Sequence, residues 1–272
     1  MKKKKYIKNG LIIAITIIVA ICFCYYENNH IVLTKYQYKT KKLQQKSYKI
    51  IQISDFHNKE NAKANKKLIS IVSKENPDII AITGDFIDSF SMNTEISLNL
   101  AKQLVKIAPV YYVTGNHEHA DEEKLYSFQD KLMNAGVHIM DNVVEVVSDK
   151  ITLIGLGDLS LNDNTLNQLM KKVNKENLSV LLAHEPQYLK NYADAGVDIV
   201  LSGHAHGGQI RIPFTNVGLV APNQGFLPKY TSGQYSSDNT SMFVSRGIGN
   251  SILPLRIFNC PEIVELEIMV EK

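Results

Sequence analysis

The stretch IIQISDFH, residues 50–57, places a short apolar run directly before an aspartate and a histidine. Such a run, uncharged and only a few residues long, is typical of a buried strand. Similar runs occur at 78–83, 110–114, 179–183 and 198–201. Amphipathic stretches typical of helices lie between the early runs, at 62–75, 95–107 and 122–135. This alternation predicts a layered α/β or α/β/β/α domain.

The second half of the chain carries a different pattern. Residues 143–156 are predicted to form a hairpin that turns at 148–150. After Gln209 the sequence shifts to strands and Gly/Pro loops with little helix. We find no internal repeat and no low-complexity tract.

Polar side chains stand out where the predicted strands end. They are Asp55 and His57, then Asp85 and Asp88, then Asn116 and His117, then His184, and lastly His204 and His206. Ligands of α/β proteins collect at the carboxyl ends of strands. We therefore expect five separate loops to bring these side chains to one edge of the molecule.

Taken singly, each of these motifs has an ordinary structural explanation. Asp-x-His after a strand is usually a turn, and Gly-Asp-x-x-Asp is most often a helix cap. Together they are more specific, because five of the eight histidines lie at predicted strand ends. Imidazole, carboxylate and amide ligands suit Zn, Mn or Fe. A shared carboxylate can bridge two such ions about 3.5–4 Å apart, an arrangement that activates water for phosphoryl displacement.

The same residues resemble the motif set of the calcineurin-like metallophosphoesterases. The five blocks are DFH at 55–57, GDFID at 84–88, GNHE at 115–118, His184, and GHAH at 203–206. The resemblance covers roughly residues 48–270 and implies a four-layer α/β/β/α sandwich. The tail also resembles a membrane-anchored bacterial branch, at 207–211, 245–247, 254–256 and 261–263. Neither a serine nucleophile elbow nor a Gly-Lys-Ser phosphate loop is present.

The resemblance also implies roles for individual residues. One of two divalent transition-metal ions would be held by Asp55, His57, Asp85 and His206. The other would be held by Asp85, Asn116, His184 and His204, so that Asp85 bridges the pair. A hydroxide between the ions would attack phosphorus. His117 would donate a proton to the leaving oxygen, Asp88 would orient His117, and Glu118 would support the ligands from behind.

One position departs from part of the family. Protein serine/threonine phosphatases of the family carry an arginine directly after the second aspartate of the Gly-Asp-x-x-Asp block, and this chain has Ser89. Protein phosphatase activity is therefore not expected. Arg211 and Arg246 are candidates for substitute phosphate contacts, with ordinary surface arginines as the alternative.

The N-terminus predicts a membrane segment. A lysine cluster precedes an uncharged apolar run at 10–26, which is near the short end for a membrane-spanning helix. A signal peptide has the same pattern, but no small-x-small cleavage site follows. We divide the chain into a basic N-terminus (1–9), a transmembrane anchor (10–26), a basic linker (27–47) and a metallophosphoesterase domain (48–272). The basic start favours a catalytic domain outside the cytoplasm, although the lysines after the helix weaken that asymmetry.

These features favour a membrane-anchored phosphodiesterase or pyrophosphatase acting on a lipid-linked or cell-envelope substrate. Related bacterial enzymes hydrolyse UDP-diacylglucosamine at its pyrophosphate, so a similar molecule is a candidate by resemblance. A broad phosphomonoesterase and a non-catalytic metal-binding protein on the same fold are the alternatives. The net charge of +3 gives no sign of a basic groove, so no nucleic-acid partner is expected.

Overall fold

The computed structural model describes residues 2–43, 47–90, 93–161, 164–215, 217–250 and 255–271. Its helices are α1 (Lys2–Asn29), α2 (Ala62–Glu75), α3 (Glu95–Leu104), α4 (Glu122–Asn134), α5 (Thr165–Met170) and α6 (Leu189–Asp194). The strands are β1 (Val32–Thr40), β2 (Ser47–Ile53), β3 (Ile79–Thr83), β4 (Val110–Val113), β5 (Val137–Ile139), β6 (Val143–Ser148), β7 (Ile151–Leu156), β8 (Leu178–Ala183), β9 (Ile199–Ser202), β10 (Val220–Ala221), β11 (Gly225–Phe226), β12 (Gly233–Ser237), β13 (Thr240–Val244) and β14 (Glu262–Val270).

The longer strands form two six-stranded sheets. The first has the order β1-β14-β2-β3-β4-β5 and the second β12-β13-β9-β8-β7-β6. Strands β2 to β5 are parallel, as are β7, β8, β9 and β13. Each parallel set therefore ends at one edge of its sheet, where the loops that follow can meet.

Three hydrophobic clusters separate four layers. One lies between the first sheet and helices α2 to α4, and includes Leu68 and Phe128. A second joins the two sheets and includes Val113 and Leu201. The third packs the second sheet against α5 and α6 through Leu169 and Tyr192. The α/β/β/α sandwich predicted from the sequence is confirmed.

Strand β3 shows why these runs are uniformly apolar. Ile80 and Ile82 point into the cluster under the helices, while Ile79 and Ala81 point into the cluster between the sheets. Successive side chains of a strand face opposite sides. A strand covered on both sides therefore has no polar face, and all five residues of β3 are buried.

Local signals fix the ends of the longer helices. Asn61 caps α2 by accepting a hydrogen bond from the amide of Ala64, and Asn76 ends it in the left-handed conformation. Asp121 caps α4 in the same way, through the amide of Lys124. Asn and Asp are favoured at such positions because their side chains satisfy free amides of the first turn. The predicted hairpin is also present, as β6 and β7 with their turn at 149–150.

The linker predicted at 27–47 is wrong for most of its described part. Residues 27–29 complete α1, and Val32–Thr40 is an edge strand that pairs in parallel with β14. Lys35 and Lys39 alternate with Tyr36 and Tyr38, whose rings pack against the cluster between the sheets. Lysines on an edge strand discourage pairing with other chains. In sequence the lysines resemble scattered charge near a membrane, but their alternation with tyrosine is the pattern of a half-covered strand.

Helix α1 is the element suited to a membrane. Within α1, the 24-residue segment Tyr6–Asn29 contains a stretch with a mean hydropathy of 2.4, and by length and composition it is long and apolar enough to cross a bilayer. Its apolar side chains are exposed until its last turns, where Glu27 is buried against the domain. Pro254 of the tail block lies outside the described residues.

Candidate metal centre

The loops that carry the predicted ligands have an unusual backbone. Asp55, His57, Asp85, His204 and His206 all have positive φ, between 47° and 64°. A residue with a side chain adopts this conformation at a cost of about 1–3 kcal/mol, and such residues cluster at functional sites. The strain is held in place by hydrogen bonds between loops, such as those from the amides of Asp55 to Gly84 O and of Gly203 to His184 O.

The first ligand group consists of Asp55, His57, Asp85 and His206, whose ligand atoms all lie within 4.8 Å of one another. The Nε2 atoms of His57 and His206 are 3.2 Å apart. His206 Nε2 lies 3.4 Å from Asp55 Oδ1, and His57 Nε2 lies 3.6 Å from Asp85 Oδ2. Strands β2, β3 and β9 thus deliver four donors to one point.

Burial sets the protonation of this group. It lowers the pKa of His57 to about 4 and that of His206 well below the usual value. It also raises the pKa of Asp55 to about 6. Both imidazoles are therefore neutral near pH 7, the form in which histidine binds metals.

The second ligand group consists of Asp85, His184 and His204, again within 4.8 Å of one another. His184 Nε2 lies 3.2 Å from Asp85 Oδ2 and 3.1 Å from His204 Nδ1. The other ring nitrogen of His184, Nδ1, lies 2.8 Å from Thr83 O, which accepts its proton and fixes the ring. Asp85 is common to both groups.

Charge as well as burial acts in the second group. Burial alone would lower the pKa of His184, but the Asp85 carboxylate raises it well above the usual value. In the same way, burial would raise the pKa of Asp85, and His184 holds it well below. Burial lowers the pKa of His204 to about 3. These opposite directions favour a protonated His184 beside an ionised Asp85.

The backbone at Asn116 lies next to the second group, because the residues on both sides of it approach Asp85. It follows Gly115, where an added Cβ would collide with the Asp85 carboxylate and lie 2.8 Å from His184 Cδ2. The side chain of Asn116 is exposed, unlike the other six predicted ligands, which are buried. The next amide, that of His117, donates to Asp85 Oδ1 at 2.9 Å.

His117 lies at the rim of the centre with its ring edge-on to His57, at 4.5 Å between centroids. Its Nδ1 accepts a hydrogen bond from the Ser89 amide at 3.3 Å and lies 3.0 Å from Ser89 Oγ. Asp88 Oδ1 is farther from that nitrogen, at 3.8 Å. Because an amide can only donate, the neutral ring carries its proton on Nε2. Ser89 thus makes closer contact with His117 than Asp88, the residue predicted to orient it.

Glu118 is a buried clamp between two ligand loops. One carboxylate oxygen accepts from the amides of Asp85 and Gly115, at 3.0 and 2.8 Å. The other accepts from Phe86 and Ile87, at 2.7 and 3.1 Å. Burial, followed by the charge of Asp85, raises the pKa of Glu118 to about 8, while the four amides favour its carboxylate. Its contacts hold the loops after β3 and β4 together.

Two glycines make the tight packing possible. An added Cβ at Gly84 would collide with the ring of His184, and one at Gly203 would collide with Ser54 and the carboxylate of Asp55. Gly84 also has φ +85°, which glycine adopts at no steric cost. Any side chain at these positions would push a ligand out of place.

The donor set fits divalent metal ions. Within the first group, Asp55 Oδ2 is buried without a hydrogen-bond partner. Buried polar atoms in proteins are normally paired, so each such atom needs an explanation. Converging imidazoles and carboxylates are the ligands that Zn, Mn and Fe accept, and burial keeps three of the four rings neutral. The structure therefore contains a cluster of Asp and His ligands suited to metal.

The two arginines considered as phosphate contacts lie elsewhere. They border a cavity of about 450 Å³ whose lining, within the described ranges, includes none of the predicted metal ligands. Arg211 donates to Gly207 O at 3.2 Å and to Ser232 Oγ at 2.6 Å. Arg246 pairs with Glu262 at 3.1 Å. Their contacts anchor the His206–Gly208 turn and the start of β14.

Three polar residues near the second group, Asp158, Glu185 and Asn223, were not predicted from the sequence to belong to the site. Asn223 Nδ2 lies 3.3 Å from His204 Nε2 and 3.1 Å from Glu185 Oε1. Burial raises the pKa of Asp158 to about 7, with opposing influence from the charge of His184. Glu185 could have been noticed because it follows His184. Asn223 and Asp158 reach the centre only through the tertiary fold.

Comparison with known proteins agrees with this geometry. Residues 48–208 match the sequence profile of calcineurin-like phosphoesterases. The chain is 30% identical over 224 residues to the uncharacterized metallophosphoesterase YkuE of Bacillus subtilis, covering 79% of this chain and 77% of that protein. It is 27% identical over 235 residues to the phosphodiesterase YaeI of Escherichia coli, covering 82% of each. The crystal structure of TT1561 of Thermus thermophilus shares the fold, with a TM-score of 0.53 at 11% identity over 74% of this chain and 90% of that one.

Proposed function

The chain belongs to the calcineurin-like phosphoesterase family, and from this premise we propose that it is a two-metal phosphodiesterase or pyrophosphatase acting on a lipid-linked or cell-envelope substrate. The observation that carries the proposal is that Asp85 lies in both ligand groups. One carboxylate shared by two sets of donors is what a pair of adjacent cations requires.

In this proposal each ion has its own ligands. Asp55, His57 and His206 hold one, His184, His204 and Asn116 hold the other, and Asp85 contacts both. Divalent ions bound there would lower the pKa of a water molecule and neutralise charge on the phosphoryl oxygens. The protein fixes the donors through strained loops, the Glu118 clamp and the contact between His184 and Thr83 O.

His117 is proposed to protonate the leaving oxygen. The Ser89 amide donates to its Nδ1, so a neutral ring carries its proton on the opposite nitrogen. The ring adjoins the first ligand group through His57, yet it belongs to neither group. A proton donor beside the centre suits an ester whose alkoxide is a poor leaving group.

The substrate class is inferred from three observations. Helix α1 is suited to a bilayer, which would keep the centre near amphiphilic molecules. The Escherichia coli relative is named a phosphodiesterase. Ser89 replaces the arginine of the protein phosphatases, which argues against phosphoproteins. A UDP-diacylglucosamine-like pyrophosphate is one such substrate, and we orient the domain outside the cytoplasm from the basic start of α1.

The test uses the full chain purified in detergent and reconstituted in lipid nanodiscs. Metal content is measured by mass spectrometry, and hydrolysis is compared for bis-p-nitrophenyl phosphate, p-nitrophenyl phosphate and a lipid-linked pyrophosphate. We expect metal-dependent hydrolysis that favours the diester or pyrophosphate over the monoester.

Two results would contradict the proposal at different levels. If none of Mn²⁺, Zn²⁺ and Fe²⁺ supported hydrolysis of any of the three substrates, the proposed phosphodiesterase or pyrophosphatase activity would be ruled out. Faster cleavage of the monoester would leave the metal centre intact but replace the proposed substrate class with a broad phosphomonoesterase.

A further inference from the structure

A ribbon of chain leaves the metal centre immediately after His206. We call residues 210–215 and 217–227, the described parts of this stretch, the apolar ribbon. It folds back on itself, with the amide of Ile212 donating to Val217 O at 3.0 Å and that of Leu219 to Ile210 O at 2.9 Å. The amide of Leu227 then donates to Leu219 O at 2.9 Å. The backbone is thus ordered by its own hydrogen bonds.

The ribbon exposes large apolar side chains at an unusual density. They are Ile212, Phe214, Val217, Val220, Phe226 and Leu227, with Phe214 fully exposed and Phe226 72% exposed. Elsewhere after α1, the exposed apolar residues of the described ranges are scattered singly or in pairs. Contiguous exposed apolar surface marks a site of interaction with a protein or a membrane.

Charge distinguishes between these partners. Residues 207–237 contain no aspartate or glutamate, while Lys229 is exposed at the end of the ribbon. An apolar face free of acidic groups and flanked by a lysine matches the boundary between acyl chains and anionic headgroups.

The ribbon is also joined to α1. Ile210 forms a β-bridge with Ile257, and the next residue, Phe258, contacts Phe23 of α1 at 5.1 Å between ring centroids. The amide of Asn259 donates to Glu27 Oε2 at 2.6 Å, and its side chain donates to His206 O at 2.7 Å. The exposed ribbon is therefore continuous with the end of the helix suited to a bilayer.

We propose that the apolar ribbon and Phe258 form a lipid-binding face that enters the headgroup region of the bilayer holding α1. This inference rests on the proposed membrane anchor. Beyond the anchor, it places the metal centre at the bilayer surface. The ribbon begins four residues after His206, and its Asn223 contacts the His204 ring. A phosphoester at headgroup depth would then reach the centre without leaving the membrane.

The chain contains no tryptophan, so a single introduced tryptophan reports one position. The test variant is Phe214→Trp, with Phe226→Trp as a second probe. Leu11→Trp, on the exposed part of α1, tests the anchor itself. Met133→Trp is the matched control, because this exposed residue lies near the end of α4, toward the sheet edge opposite the metal centre.

Each full-length variant is placed in nanodiscs of phosphatidylcholine and phosphatidylglycerol, with or without brominated acyl chains that quench tryptophan. We expect brominated lipid to reduce the emission of Leu11→Trp and Phe214→Trp at least about twofold, and to leave Met133→Trp unchanged. Metal content and circular dichroism establish that each variant is folded.

Several outcomes would overturn the inference. Quenching of Leu11→Trp without quenching of Phe214→Trp or Phe226→Trp would keep the anchor and remove the lipid-binding face. A blue-shifted but unquenched emission of Phe214→Trp would assign the face to a second copy of the chain. Absence of quenching in all variants would remove the anchor too, whatever the protein hydrolyses.

Discussion

The two ligand groups of the metal centre share Asp85 but hold protons differently. In the first group, burial lowers the pKa of both His57 and His206, so that both rings are neutral. In the second, the Asp85 carboxylate raises the pKa of His184, and the two form an ion pair at 3.2 Å. The first group brings two neutral imidazoles together at their Nε2 atoms, whereas in the second the His184 ring is paired with the shared carboxylate. The difference teaches that one carboxylate, Asp85, lies in two donor environments of different charge.

The largest effect is expected from Asp85→Asn, since it removes the carboxylate common to both groups. Bound metal should fall sharply at both, and hydrolysis of bis-p-nitrophenyl phosphate should drop to the uncatalysed background. The measurement is the rate per chain with excess Mn²⁺. Asp130→Asn, an exposed aspartate on α4, is the control and should retain the rate. Activity near the wild-type level in Asp85→Asn would show that the carboxylate is not shared.

His206→Ala and His204→Ala separate the groups, because each removes an imidazole from one of them. We expect each variant to lose about half of the bound metal, following the number of ions proposed for the centre. Metal content by mass spectrometry gives the answer, with the surface variant His138→Ala as control. Loss of all metal from both variants would mean that the groups form one inseparable site.

His117→Ala should leave metal content unchanged, since His117 belongs to neither group. The rate should fall roughly 10²–10⁴-fold if His117 is the proton donor. The effect should be smaller for p-nitrophenyl esters, whose leaving group needs little protonation, than for alkyl esters. A parallel loss of metal would instead make His117 a ligand.

Ser89→Ala is expected to have the smallest effect, because the Ser89 amide still donates to His117 Nδ1. Removal of the hydroxyl takes away one neutral hydrogen bond worth about 1 kcal/mol, which corresponds to a loss of about fivefold in kcat. Asp88→Asn is the comparison, since Asp88 lies farther from the ring. A larger loss in Asp88→Asn than in Ser89→Ala would restore the role that the sequence assigned to Asp88.

The ligand loops were predictable because each follows a buried strand. A run such as Ile79–Thr83 is recognisable by its lack of any polar face, and the polar residue after it is then placed at the edge of the sheet. The resemblance to a family added the grouping around Asp85. The apolar strand pattern is local in the chain, and the grouping of the ligands is repeated across the family, so neither depends on knowing the tertiary contacts.

Other features depend on distant contacts. Strand β1 forms only by pairing with β14, more than two hundred residues away in the chain. The sequence alone therefore predicts a linker where β1 lies. Asn223 contacts His204 because the ribbon folds back towards the metal centre. The contact of Ser89 with His117 depends on how the His117 ring is rotated. Arg211 and Arg246 were suggested by residue type alone, and their partners proved to be Gly207, Ser232 and Glu262.

The most direct test of a shared carboxylate is electron paramagnetic resonance of the full chain titrated with Mn²⁺. Two ions bridged by Asp85 would lie about 3.5–4 Å apart. A shared Asp85 predicts a spin-coupled spectrum that grows to two Mn²⁺ per chain and is absent from Asp85→Asn. An uncoupled six-line signal that saturates at one Mn²⁺ per chain would contradict it.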